Sequence, residues 1–342
     1  MNMRLSVLDQ SASVVGGSDG AAIRDTLALA THCETLGFHR FWVSEHHGLP
    51  TIVGSAPEVL MGAIAARTSR IRIGSAGVML PHYSALKVAE QFRVLDALAP
   101  GRIDLGVGRA PGGDQRTAQA LNPNARHADD DFPEQVHDLI AWTSRPQHRG
   151  IVARPLGTTA PEVWILGSSA YGAQLAAHFG LPYAFAYFFA DGDGAEQALR
   201  VYREQFRPAV PGAKPQATLC VWALAADTSE LARHQALSRE RWRVDRQRGS
   251  FGPLQAPHLI AQQGFTPEDM PTVEAMRARS FVGSASQVGA QLRALARHFE
   301  LDELVINTWA HDPAVTRHSH ALLAAEFGLA EHAAAPGEAV PA

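Results

Sequence analysis

A (β/α)8 barrel, the TIM-barrel class, is the fold this sequence predicts, and three observations predict it. Short β-rich runs recur along the chain, and most are followed by a polar loop and a segment with helical spacing. The runs are close to continuously apolar, as parallel strands covered on both faces are. There are eight of them, the number that closes such a barrel, with a doubly wound open sheet as the alternative. A chain of 342 residues, 46% hydrophobic and 19% charged, is long and apolar enough to bury the core this needs.

The elements follow in order. LSVLD (5 to 9) is the first strand, and Ile23, Leu27, Ala30 and Leu36 mark one face of the helix after it. FWVS (41 to 44) leads to a helix start at Pro57 that carries a capping box of Ser55 and Glu58. IRIGSAGVML (71 to 80) precedes a helix with Leu86, Ala89, Phe92, Leu95 and Leu98, stopped by Pro100 and Gly101. RIDLGVG (102 to 108) is followed by a polar stretch and a helix near 130 to 143. EVWILG (162 to 167) runs straight into SSAYGAQLAAHFG, and YAFAYFF (183 to 189) into a helix ending near Pro208. TLCVWALAA (218 to 226) meets a helix whose start, Asp227 to Glu230, again reads as a capping box. GSASQVGAQLRALARHF (283 to 299), capped by Ser284 with Gln287, feeds the last strand, ELVIN (303 to 307).

One domain is expected over 1–329. The stretch 246–282 is too long for an ordinary connection and reads as a mobile lid inserted late in the chain. Residues 330–342 read as a flexible tail. A net charge of -4 gives no reason to expect nucleic acid or a membrane surface as partner. The two cysteines, Cys33 and Cys220, lie in a helical and a strand pattern and suit reduced core thiols. The first residues lack the apolar core of a signal peptide, and no apolar run reaches spanning length, so a cytoplasmic location is expected.

In a barrel, chemistry gathers at the carboxyl ends of the strands. Those positions hold Asp9 and Gln10, then Glu45, His46 and His47, then Ala76 and Gly77, then Arg109, and then Ser168 and Ser169. Ser168 and Ser169 open a helix behind Gly167, which supplies free amides, two hydroxyls and the positive end of a helix dipole to an anion. Gly172, one turn on, lets a phosphate approach, and Arg109 offers a bidentate clamp; plain helix capping is the alternative. GVGRAPGGD (106 to 114) fails the dinucleotide pattern because Pro111 takes the place of its third glycine. It reads instead as a close-packed turn around a flat ligand. FWVSEHHG (41 to 48) is open to three readings: a metal site, an acid/base or cofactor contact, or a structural rim. Neighbouring histidines in an extended segment point opposite ways, so one of the pair is expected to face the mouth, and no second ligand cluster such as HExxH follows.

FWVSEHHG, IRIGSAGVMLPHYSALKVAEQFRVLDALAPGRIDLGVGRAPG, LGSSAYGAQLAAHFGLPYAFA and FVGSASQVGAQLRAL, in that order, resemble the bacterial luciferase-like flavin monooxygenases from Leu5 to about Phe327. The resemblance implies a barrel that binds reduced flavin mononucleotide (FMN, as FMNH2) at the strand ends, usually as a homodimer. It implies a separate flavin reductase as supplier, and reaction with O2 through a C4a-hydroperoxyflavin that oxygenates a small organic substrate. His46 would lie near the reactive part of the flavin and manage protons, with Glu45 positioning the site and tuning His46 where they touch. Arg109, Ser168, Ser169 and Gly172 would hold the flavin phosphate, with Arg126 a candidate second contact. A non-proline cis peptide would fall at Ala76 and Gly77, beneath the ring. Val78 and Phe188 would help to keep the pocket dry. At Gly108 luciferase subunits can carry a cysteine beside the flavin, so light emission does not carry over. Two alternatives stay open: an oxidoreductase using the deazaflavin F420 on the same barrel, and a flavin-binding protein without catalysis.

Overall fold

The computed structural model describes residues 3–109, 113–123, 131–145, 147–189 and 192–329; Arg126 and the expected tail 330–342 lie outside them. The first half runs β1 (Arg4–Asp9), α1 (Asp19–Thr35), β2 (Arg40–Val43), α2 (Pro57–Ala65), β3 (Arg72–Met79), α3 (Ala85–Leu98) and β4 (Ile103–Gly108). Then come α4 (Gln115–Leu121), α5 (Phe132–Ser144), β5 (Glu162–Gly167), α6 (Ala170–Phe179), β6 (Tyr183–Phe185), α7 (Ala195–Gln205) and β7 (Ala217–Ala226). The chain closes with α8 (Ser229–Gln247), α9 (Pro257–Gln263), α10 (Met270–Ala278), β8 (Phe281–Ser284), α11 (Ala285–His298), β9 (Glu303–Asn307) and α12 (Pro313–Phe327).

Eight strands form the expected closed parallel barrel: β6, β5, β4, β3, β2, β1, β9 and β7 neighbour one another in that order, and β7 returns to β6. The ninth strand, β8, pairs only with Ala223 to Ala226 at the end of β7 and stands outside the ring.

Alternation along the strands builds the interior. Phe41, Val43, Ile103, Leu105, Val107, Leu304 and Ile306 point outward into the core shared with the helices. Their neighbours point inward in layers. Leu8, Trp42, Trp164, Ala184, Cys220 and Val305 fill the waist, with the Trp42 and Trp164 rings edge to face at 5.1 Å. Gly74 makes room for them: a Cβ there would come within 2.5 Å of the Trp42 indole.

Below the waist, at the amino ends of the strands, the barrel is closed by charge. Arg40 donates to Asp104 (2.9 Å), Glu162 (3.0 Å) and Glu303 (3.0 Å), Arg72 also pairs with Asp104, and Ser6 Oγ donates to Glu303 (2.6 Å). The expected continuously apolar strands therefore carry charged first residues that turn inward.

Several local expectations are corrected. α2 starts at Pro57 with no side-chain cap, so the Ser55 and Glu58 box does not form. α8 is capped by Thr228, whose side chain accepts from Leu231 N, while Asp227 binds His318 (2.9 Å). The Ser284 and Gln287 box does form. Strand β6 ends at Phe185, and Leu98 is 64% exposed instead of facing the core. No helix among the described residues is long and apolar enough to cross a membrane.

The expected insertion contains α9, α10 and the start of β8, and it is tied to the barrel end. Leu254 exchanges backbone hydrogen bonds with Ser13 and Val15 (both 2.9 Å), and Thr51 Oγ1 donates to Gly252 O (2.6 Å). Leu254 packs with Ile52 and Trp309, and Arg277 binds Glu240 bidentately (2.8 and 2.7 Å).

Candidate functional site

The carboxyl ends of the strands open into a cavity of about 890 Å³, the size of sites that take a drug-sized or cofactor-sized ligand. His46, Ala76, Gly77, Gly108, Arg109, Ser168, Ser169 and Gly172 all line it. Glu45 does not line it; it is 1% exposed and sits behind the wall.

β2 ends at Val43, so Ser44 to Gly48 no longer follow strand alternation, and both histidines reach the cavity. This corrects the expectation of one histidine facing the mouth. The contacts of Glu45 also differ from those expected. Glu45 accepts from His47 Nε2 (2.7 Å) and Tyr83 OH (2.6 Å) on one oxygen and from Met79 N (3.0 Å) on the other. It touches His47, not His46, so it fixes the loop after β2 against the end of β3. Burial, then the Glu45 contact, push the Tyr83 hydroxyl pKa up, which keeps it a donor.

His46 Nδ1 shares a hydrogen with Ser44 Oγ (3.1 Å), and its Nε2 has no partner among the described residues. Burial, helped by the charges of His47 and Arg246, lowers its pKa to about 4. At neutral pH it is an uncharged imidazole able to accept a proton.

The cis peptide is present at Ala76–Gly77, on the cavity floor. Gly77 lies against Gly106 and Leu166: a Cβ would meet Leu166 Cδ1 at 2.6 Å and Gly106 O at 2.8 Å. At Gly108 a Cβ meets nothing nearer than Met79 Cε at 3.8 Å, so the missing side chain leaves a slot in the wall. Opposite the floor, Ser169 is the N-cap of α6 yet makes no side-chain capping bond. The hydroxyls of Ser168 and Ser169 have no partner among the described residues, and both residues are exposed. The Arg109 guanidinium is held 4.2 Å over the ring of Tyr171, in the first turn of α6. Two free hydroxyls, a helix amino end and a stacked guanidinium form a donor set for a phosphate, and the slot beside a flat floor fits a planar ring, so the residues fit a flavin nucleotide.

Phe188 lines the cavity as expected, but Val78 does not; it belongs to the outer core. The sequence reading missed Trp222, Trp309 and one whole face of α8, which brings Arg239, Trp242, Arg243 and Arg246 to the wall. The i, i+3, i+4, i+7 spacing in RERWRVDR was the available signal.

Away from the cavity, His137, Asp138 and His148 approach one another within 4.8 Å. Asp138 Oδ1 accepts from His148 (2.8 Å) and from Arg149 (3.1 Å), so a guanidinium already stands where a cation would bind.

Comparison with known proteins gives consistent matches. Residues 3–299 match the model of the family described as luciferase-like monooxygenase. A luciferase-like monooxygenase of Escherichia coli (strain K12) is 40% identical over 320 residues, covering 93% of this chain and 95% of that one. Among solved structures, apo-MsnO8 superposes with a TM-score of 0.90 at 32% identity, over 96% of this chain and 100% of that one. The oxygenating constituent of 3,6-diketocamphane monooxygenase from Pseudomonas putida, solved in complex with FMN, shares the fold with a TM-score of 0.71 at 20% identity, over 96% and 98% of the chains.

Proposed function

From the premise that the chain belongs to the luciferase-like monooxygenase family, we propose that it is an FMN-dependent monooxygenase acting with O2 on a small organic substrate. One observation carries this reading: phosphate donors, a flat floor with a slot, and a neutral histidine converge on one largely apolar cavity. Bound reduced flavin would supply the two electrons that activate O2, and a separate flavin reductase would deliver it in that form.

The chain's own residues have distinct tasks in this reading. Arg109, Ser168 and Ser169 hold the phosphate, with the close approach of the chain at Gly172 beside them. Ala76, Gly77 and Gly108 seat the ring. Phe188, Trp222 and Phe251 exclude water, which limits proton delivery to groups the protein chooses. His46 Nε2 takes or returns a proton at the flavin or the substrate. Glu45 is a positioning residue acting through His47 and Tyr83. Closure over the bound substrate is assigned to the segment carrying Phe251, within 246–282.

The proposed assembly is a homodimer. Val59 of α2 and Val94 and Leu98 of α3 are 67%, 48% and 64% exposed on two helices that pack together, an apolar surface for a second copy. Leu98→Asp should then yield a monomer by sedimentation; an unchanged species would place the contact elsewhere.

The deciding experiment is anaerobic titration with reduced FMN, followed by rapid mixing with O2. Binding followed by oxygen-dependent flavin oxidation supports the reading. Failure to bind reduced FMN, with uptake of F420 instead, overturns it; stable binding without oxygen reaction indicates a non-catalytic flavin carrier.

A further inference from the structure

α8 turns a cationic face to the cavity, with Arg239, Trp242, Arg243 and Arg246 at helical spacing. The helix directs its acids elsewhere: Glu240 binds Arg277, and Asp245 lies 3.8 Å from Arg241. Of the arginines on this face, Arg239 lies 4.3 Å over the Trp222 ring and Arg243 donates to Phe189 O (3.4 Å), while the lining carboxylate Asp114 caps α4 through Thr117 N (2.7 Å).

Arg246 carries the argument. Its guanidinium is half-buried, 5.0 Å over the Phe189 ring and 5.5 Å from the Trp242 ring centre, and it forms no hydrogen bond or ion pair with any described residue. Aromatic faces hold a cation in place but bring no counter-charge, and a guanidinium withdrawn from water without an anion is costly. The two cationic places are well separated. Arg109 follows β4 and stands with the serines after β5, whereas α8 follows β7, three strands around the ring from β4. On the α8 side, Trp242 Nε1 donates to Thr51 Oγ1 (2.8 Å) in the loop after β2, which places the helix end over the histidines' side of the mouth. One phosphate at the Arg109 end therefore leaves Arg246 without a counter-ion.

We propose that the carboxyl end of the α8 face is an anionic subsite for the substrate: Arg246 receives a carboxylate or sulfonate, and Trp222, Trp309 and Phe251 pack the apolar body attached to it. The substrate class is thus an amphiphilic organic acid. This assignment rests on the flavin reading above in giving the Arg109 end to the cofactor. The shared chemistry is an oxyanion on guanidinium groups, and a flavin phosphate is the rival source.

Calorimetric titration of the full chain with octanoate, 1-octanesulfonate and 1-octanol, with and without FMN, tests it. The wild type should bind the two anions more tightly than the alcohol. R246Q should weaken the anions about tenfold or more, leave the alcohol unchanged, and leave FMN affinity within about twofold. R246K should recover most of the anion affinity, as charge without the planar fork allows. R109Q should weaken FMN and spare the octanoate titration. Equal affinity of the wild type for octanol and octanoate overturns the proposal. So does an R246Q defect in FMN binding as large as that of R109Q, because the arginines would then serve the flavin phosphate. If octanoate is selected through Arg246 while reduced FMN is not taken up under anaerobic conditions, the subsite stands and the flavin reading falls.

Discussion

The two ends of the barrel handle charge in opposite ways. At the amino end, Arg40 and Arg72 meet Asp104, Glu162 and Glu303 in a network whose members satisfy one another. At the carboxyl end, Arg246 and the hydroxyls of Ser168 and Ser169 have no hydrogen-bond or ion-pair partner among the described residues. Polar groups complete in themselves close a core, while polar groups left incomplete around a cavity specify what is to arrive.

The sharpest way to break this contrast is at the closed end. Arg40→Met removes the cation shared by Asp104 and Glu303, each no more than 3% exposed, leaving Asp104 to Arg72 and Trp42 and Glu303 with little more than Ser6, and should cost about 3–5 kcal/mol in urea denaturation. A loss below about 1 kcal/mol would show that the network is not what closes the barrel. At the open end, substitutions should spare the fold and change chemistry. His46→Ala should lower oxygenation about a hundredfold while sparing flavin affinity, and unchanged turnover would remove the role given to it. Arg109→Gln should weaken reduced FMN by about tenfold or more, with an unaltered melting temperature.

A subtler comparison uses the histidines at the two ends of β2. Burial is the main cause that lowers both His39 and His46 to about 4. With folded values below the usual 6.5, the unfolded chain takes up protons that the folded chain declines between about pH 6.5 and 4, so stability should fall as pH falls through that window. Urea midpoints measured at pH 7 and pH 5 check the sign. His39→Asn should flatten the slope, and His46 alone should respond, by a raised pKa in a proton NMR titration, when an anion fills the cavity near Arg246. A response of His39 as well would mean that the two ends communicate.

The barrel was legible because outward strand residues such as Phe41, Ile103 and Leu304 and helix faces such as Ala89, Phe92 and Leu95 keep their periods through the chain. The closed end was not, since Arg40, Asp104 and Glu162 at strand starts look the same in sequence whether they turn to solvent or into the barrel. Ser55 and Asp227 show the limit of cap patterns: Pro57 and Thr228 decided where those helices begin. Strand ends named most of the cavity's cofactor side, because a strand terminus is local information. The α8 face escaped for the opposite reason. Its position over the mouth depends on contacts between residues far apart in sequence, such as Trp242 with Thr51 and Thr51 with Gly252. The Glu45 partners show the same effect at shorter range, with Tyr83 reached only across the barrel end.

The slot at Gly108 makes the protein an unusual candidate for site-selective labelling. Cys33 and Cys220 are both buried, and burial pushes both thiol pKa values up, so neither offers a thiolate at neutral pH. Gly108→Cys would place a lone accessible sulfur in a wall with room for it, 3.8 Å from Met79 Cε at the nearest. A label attached there would take the space given to the ring, so loss of FMN binding on labelling would be the expected sign that the slot seats it.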